Sequence, residues 1–319
     1  MRSGSRVRAL ALFALAAQNT VLVLLTKFSY RTAAKQYTAS TVLVWAEVVK
    51  LCFSCIILVI LKDYCALVSA FAELRTDFSR LSIPALLYAV QNSLTFEAMR
   101  LLQPTVFMVC SQSKILSSAF FSVILLKTRI TCLQLTAIGV LVVGMMAVQY
   151  DESQHTLSEH HAEQPQNFKG IVYVFSAAGI SGFLGAYLER IYRATGGHNG
   201  PQAIWQRNVQ LAFFSIPVTT TLAVLRDMAL IKSFGILYGY DSVIVSIVLL
   251  QATGGLVNAV VMRYAGNILK CFAVSASICF CALLSASVQH GEGAGFGVVG
   301  LNGVIFVIIA TFMFSCKRS

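Results

Sequence analysis

Apolar windows recur along the 319-residue chain at 9–27, 39–61, 82–101, 104–126, 131–149, 170–192, 204–225, 242–263, 267–289 and 294–315. Each is close to the roughly 20 residues a helix needs to cross the hydrocarbon core of a bilayer. Hydrophobic residues make up 57% of the chain and charged residues 12%, with a mean hydropathy of +0.75. Soluble domains sit near 45–50% apolar and about 25% charged, so an ordinary water-soluble enzyme is excluded. The windows leave no room for a sizeable soluble domain. Gln103-Pro104 and Tyr264-Ala265-Gly266 separate neighbouring windows, and such residues punctuate helices, so these are read as tight hairpins. The expectation is an all-α membrane protein of ten transmembrane helices.

The basic start MRSGSRVR and the apolar run behind it could be read as a signal peptide. The run resumes beyond Gln18-Asn19-Thr20 to a full span length, which favours a retained first helix. Lys and Arg concentrate on the side that carries the N-terminus when ten crossings are assumed, which predicts both termini in the cytosol. The polar stretch 150–169 then falls on the opposite side and divides the chain into 1–149 and 170–319. Five spans, a linker and five more spans is the arithmetic of two inverted five-helix repeats. The formal charge of +11 does not indicate nucleic acid, because the basic residues are scattered singly between apolar runs. Cys52, Cys55, Cys110, Cys271, Cys279 and Cys281 lie inside apolar runs and act as small hydrophobes. His155, His160 and His161 share the polar linker, and a solvated loop is favoured there over a metal site. No cofactor is implied.

Ionisable residues inside spans are costly and turn by default toward a bundle or cavity. Glu47 and Lys50 lie three apart on one helix face, and an intrahelical pair explains them as readily as a ligand does. Lys114 has no acidic residue within a helical turn. It is expected either to meet an anionic ligand or to pair with a carboxylate such as Glu47 on another helix. Lys270 occupies the matching helix of the second repeat, and Arg207 matches Lys50. Unmatched cations call for an anion, and lysine holds phosphate as a releasable point charge. Tyr88, Gln91, Asn92 and Thr95 form a polar stripe at helical spacing, as do Gln251, Gly254, Gly255 and Asn258. Amides and tyrosine can read or stack on a nucleobase. Hydrogen-bonded helix contacts are the alternative for Asn92 and Asn258, and close packing is the preferred reading of the glycine pair. Ser111 lies on the Lys114 stripe, Asn208 opens the seventh window, and Asn267 opens the ninth. No catalytic constellation is present, since the buried carboxylates expected at Glu47 and Glu97 lie on different helices.

Along these residues the sequence resembles the Golgi nucleotide-sugar transporters, in the branch carrying UDP-galactose, UDP-N-acetylglucosamine and CMP-sialic acid. The stretches PALLYAVQNS (84–93), SQSKILSSAFFSVILL (111–126), SGFLGAYLERIYR (181–193) and LLQATGGLVNAVVMRYAGNILKCFAVSASI (249–278) carry the match, together with WAEVVKL (45–51) and IWQRNVQL (204–211). The resemblance implies the ten-helix drug/metabolite transporter fold in the Golgi membrane, with the endoplasmic reticulum as the lesser alternative. It implies exchange of a cytosolic nucleotide sugar for a lumenal nucleoside monophosphate. It assigns phosphate contact to Lys114 and Lys270, and cavity positions to Lys50, Tyr88, Asn92 and Asn208. Phe107, Ser111, Ala212 and Gly266 depart from the family pattern. The 249–278 stretch leans toward UDP-sugar cargo with UMP as counter-substrate, and a CMP-sialic acid/CMP antiporter is the alternative. A non-transporting scaffold or channel is the reading from a different class. The partners implied are the nucleotide sugar, the monophosphate and membrane lipid, and a homodimer is left open.

Overall fold

A computed structural model describes residues 2–32, 38–74, 78–156, 168–194, 202–288 and 297–315. Among them every regular element is a helix: α1 (Arg2–Thr32), α2 (Ala39–Ile60), α3 (Tyr64–Ala72), α4 (Phe78–Leu101), α5 (Pro104–Ser111), α6 (Ser113–Leu126), α7 (Cys132–Thr156), α8 (Phe168–Ala194), α9 (Ala203–Phe234), α10 (Ser242–Tyr264), α11 (Asn267–Val288) and α12 (Val298–Ser315). Eight segments among the described residues are long and apolar enough to cross a membrane. The chain is a multi-pass membrane protein. α4, interrupted by Arg80, Gln91, Asn92 and Glu97, falls outside that set. So does α12, whose apolar stretch Val298–Phe314 is shorter. His160, His161 and most of the 150–169 linker lie outside the described residues.

Three features differ from the windows read in the sequence. The window 104–126 carries a tightened turn at Gln112, where the amides of Gln112 and Ile115 donate to carbonyls three residues back. The Gln112 side chain is buried there and donates to Gln149 Oε1 on α7 at 2.6 Å. Helix α9 runs past its window through a kink at Asp227 (φ −120°), and the Asp227 carboxylate accepts from the Ser40 hydroxyl at the start of α2. The third is α3, nine residues long and far too short to span.

The described chain divides into two compact units. The first comprises residues 1–89 and 188–266. In it Val42 of α2 packs with Ile244, Ile247 and Val248 of α10, flanked by Leu22 and Leu25 of α1. Leu58 of α2 packs with Ala66 and Ala70 of α3 and Val209 of α9. Tyr192 of α8 joins Leu81, Ile204, Leu211, Ala259 and Met262 in a third cluster.

The second unit comprises residues 90–187 and 267–319. Its most extensive seam joins α7 to α12, where a Cβ on Gly303 would meet the Gly144 carbonyl oxygen at 2.7 Å. Missing side chains let the two backbones approach, as small residues do in membrane helix pairs. Asp151 closes the same seam by accepting from the Gly297 amide at 2.9 Å, at the start of α12. Helix α11 packs on α6 and α7.

Candidate functional site

In the first unit, Lys50 Nζ lies 2.5 Å from Glu47 Oε2, and both side chains are largely buried. The intrahelical pair weighed in the sequence is therefore formed. Gly255 of α10 makes room for the Lys50 stem: a Cβ there would meet Lys50 Cδ at 2.9 Å. Gly254 does the same for Gln18 of α1, whose Nε2 donates to the Leu250 carbonyl at 2.9 Å. The glycine pair thus serves close packing, and both neighbours it admits are polar side chains.

Asn208 is buried on α9, and its Oδ1 accepts from the Tyr192 hydroxyl at 2.7 Å. Its Nδ2 is buried with no hydrogen-bond partner among the described residues. Glu47 interacts electrostatically with the same Tyr192 hydroxyl, so Lys50, Glu47, Tyr192 and Asn208 form one polar neighbourhood inside this unit. Asn258 of α10 is half-buried, and its Oδ1 likewise has no partner among the described residues. Gln251 lies half-buried two turns earlier on the same face. Unpaired buried amide atoms cost free energy unless something meets them, so Asn208 Nδ2 and Asn258 Oδ1 are two open valences of this unit. Trp45 Nε1, Ser29 Oγ and Gln206 Oε1 are others among the described residues, which the sequence did not single out. Tyr88 is partly exposed on α4.

The cation matched to Lys50 in the sequence, Arg207, behaves differently. Its Nη1 donates to Gln210 Oε1 at 2.7 Å. Gln206 and Gln210 in turn donate from Nε2 to Glu73 Oε2 at 3.1 and 3.3 Å. The start of α9 is therefore a dock for α3, formed by side chains whose partner is far away in sequence.

In the second unit Lys114 is half-buried on α6 and forms no ion pair among the described residues. It lies in electrostatic range of Cys271, the neighbour of Lys270 on α11. Packing of α6 on α11 thus brings the helices of the two lysines together. A charge in apolar surroundings without a counter-ion is costly, and an anionic ligand would offset that cost. Gln91 and Asn92 are half-buried on α4. Thr95, from the same stripe, donates its hydroxyl to the Gln91 carbonyl at 2.8 Å. Asn267 is buried against Gly185 of α8, where a Cβ would collide with its side-chain amide. Glu97 is not the buried carboxylate expected: its side chain is 46% exposed and faces Arg100 at 3.9 Å.

The profile of a family described as nucleotide-sugar transporter matches residues 3–315. The chain belongs to the nucleotide-sugar transporter family. The UDP-galactose/UDP-N-acetylglucosamine transporter of Caenorhabditis elegans is 34% identical to it over 100% of this chain and 85% of its own length. The human UDP-N-acetylglucosamine transporter is 34% identical over 93% of this chain and 91% of its own. The UDP-galactose transporter of Schizosaccharomyces pombe is 32% identical over 99% and 90% respectively. A crystal structure of a protein 14% identical matches 97% of this chain and 96% of its own with a TM-score of 0.62, a likeness of fold. These relatives are transporters, and this nucleotide-sugar transporter is not an enzyme.

The structure gives the local surroundings of the four positions set apart in the sequence, Phe107, Ser111, Ala212 and Gly266. Phe107 packs with Leu102 and Val174 in an apolar cluster, where a hydroxyl would need a partner. Ser111 turns its hydroxyl back onto the Met108 carbonyl at 2.7 Å. Ala212 is fully buried on α9. Gly266 adopts φ +90°, a left-handed turn that favours glycine. A Cβ there would also meet Glu189 Oε1 at 2.7 Å, on a buried carboxylate paired with Arg193.

Proposed function

We propose that this nucleotide-sugar transporter carries a UDP-sugar, UDP-galactose or UDP-N-acetylglucosamine, into the Golgi lumen in exchange for UMP. The observation that carries this reading is full-length likeness, at 32–34% identity, to transporters whose names specify UDP-sugars. Ten spans in two inverted five-helix repeats, 1–149 and 170–319, with both termini cytosolic, complete the reading. The Lys and Arg distribution and the polar linker support it.

Lys114 and Lys270 hold the phosphates in this account. Support comes from the half-buried Lys114, which has no ion-pair partner among the described residues, and from the packing of α6 on α11. Asn208 and Asn258 meet the base or sugar through amide atoms that have no hydrogen-bond partner among the described residues. Tyr88, Gln91, Asn92, Ser111, Gln251 and Asn267 are the further candidates for substrate contact. The Glu47–Lys50 pair sets the local charge, with Lys50 available to an anion if Glu47 lets it go. A shared phosphate site explains why one protein would accept both the incoming diphosphate ester and the outgoing monophosphate.

A competition assay on the purified protein tests the cargo assignment. UMP and a UDP-sugar should each displace a bound uridine nucleotide at concentrations well below those needed for CMP. Uridine, without phosphate, should displace poorly. Displacement by CMP in preference to UMP would overturn the uridine assignment and install the CMP-sialic acid alternative.

A further inference from the structure

Helix α3 has two unlike faces. Ala66 and Ala70, one turn apart, are buried against Leu58 of α2 and Val209 of α9. Tyr64, Val68 and Phe71, at helical spacing on the other side, are 59%, 68% and 45% exposed. Asp63 caps the helix by accepting the Ala66 amide at 2.9 Å. Glu73, its C-terminal cap residue, accepts from Gln206 and Gln210. Ser69 accepts a further bond from Gln206 at 3.2 Å. The helix is therefore capped at its start and tied to α9 at its end, with Leu67 packed inward and Tyr64, Val68 and Phe71 turned outward.

Its position says what meets that face. Only Leu61, Lys62 and Asp63 separate α3 from the end of α2, a span, and three residues reach no more than about 10 Å. Its inner face rests on the first turns of α9, a second span. Held beside the ends of two spans, α3 lies at the depth where hydrocarbon gives way to water. Tyrosine is a favoured residue at that boundary. Exposed Lys62 and Arg80 flank the helix on its two sides in sequence, the signs expected next to anionic headgroups.

We propose that α3 is an in-plane membrane-surface helix whose Tyr64–Val68–Phe71 face is embedded in the phospholipid interface. It anchors the cap of α2 and α9 to the leaflet, which is the cytosolic one under the proposed orientation. The inference rests on the multi-pass reading and not on the identity of the cargo.

The test places photoreactive benzoylphenylalanine at Val68 in the full-length protein, reconstituted in vesicles of phosphatidylcholine and phosphatidylserine. Val68 makes no inward contact that the probe would disturb, and a second variant carries the probe at Val143, exposed on the span α7. After illumination, both variants should gain the mass of one phospholipid by intact-mass spectrometry. A lipid adduct at Val143 with none at Val68 would overturn the proposal. A covalent dimer at Val68 in place of the lipid adduct would also overturn it, by showing a second copy on that face.

Discussion

Lys114→Gln and Lys270→Gln each weaken binding of UMP and of a UDP-sugar together, by a factor on the order of 10–100, because a hydrogen bond to a charged group contributes roughly 1.5–3 kcal/mol. Parallel loss is expected because both ligands present phosphate to the same cations. Uridine, already weak, should be little affected by either change. Both variants should remain folded and monodisperse. Lys114 forms no ion pair among the described residues, so its removal strands no carboxylate. Glu47, the acid that Lys114 could have neutralised, already has Lys50 at 2.5 Å. Ligand titration and thermal melting on the same preparations check the two halves of this expectation. Recovery of UMP affinity in the double variant Lys114→Gln, Glu47→Gln would contradict a phosphate role, since it would trace the loss to an unbalanced charge.

Gly303→Ala should lower stability by about 1–3 kcal/mol, the usual range for overpacking a tight contact. The new methyl group would lie 2.7 Å from the Gly144 oxygen and 2.9 Å from the Val148 amide nitrogen. Both obstacles are backbone of α7, so no side chain can turn aside, and the helices must separate. Gly144→Ala meets the Gly303 oxygen at 2.8 Å and should behave alike. The Asp151–Gly297 bond at one end of the seam would be lengthened with it. Melting of purified protein in detergent measures the effect, and an unchanged midpoint for both variants would contradict the close seam. Protein that survives should keep its affinity for UMP, which separates this loss from that of the lysine variants.

The long helices were legible because hydrocarbon demands a continuous apolar run, and the windows 39–61, 170–192 and 242–263 fall almost residue for residue on α2, α8 and α10. α3 was not, since nine mostly apolar residues satisfy no spanning rule and take their place only by docking on α2 and α9. The turn at Gln112 depends on Gln149, 37 positions away, and window hydropathy carries no trace of such a pairing. Among the polar residues, spacing raised the Glu47–Lys50 pair as one of two even readings, because both partners lie on one helix. It could not foresee that Gln206 and Gln210 answer to Glu73. Nor could it separate Asn208, whose Nδ2 stays open, from Gln210, whose amide is fully engaged. Pattern finds polar residues in a membrane helix. Which of them still lack a partner is a property of the packed structure.

Counter-transport in liposomes tests the central claim most directly. Purified protein is reconstituted into vesicles loaded with UMP, with CMP or with buffer, and uptake of labelled UDP-galactose and UDP-N-acetylglucosamine is followed. The account predicts uptake of at least one UDP-sugar that is accelerated by internal UMP, is not accelerated by internal CMP, and is lost with Lys114→Gln. Uptake that ignores the internal nucleotide, or acceleration by CMP alone, would contradict it.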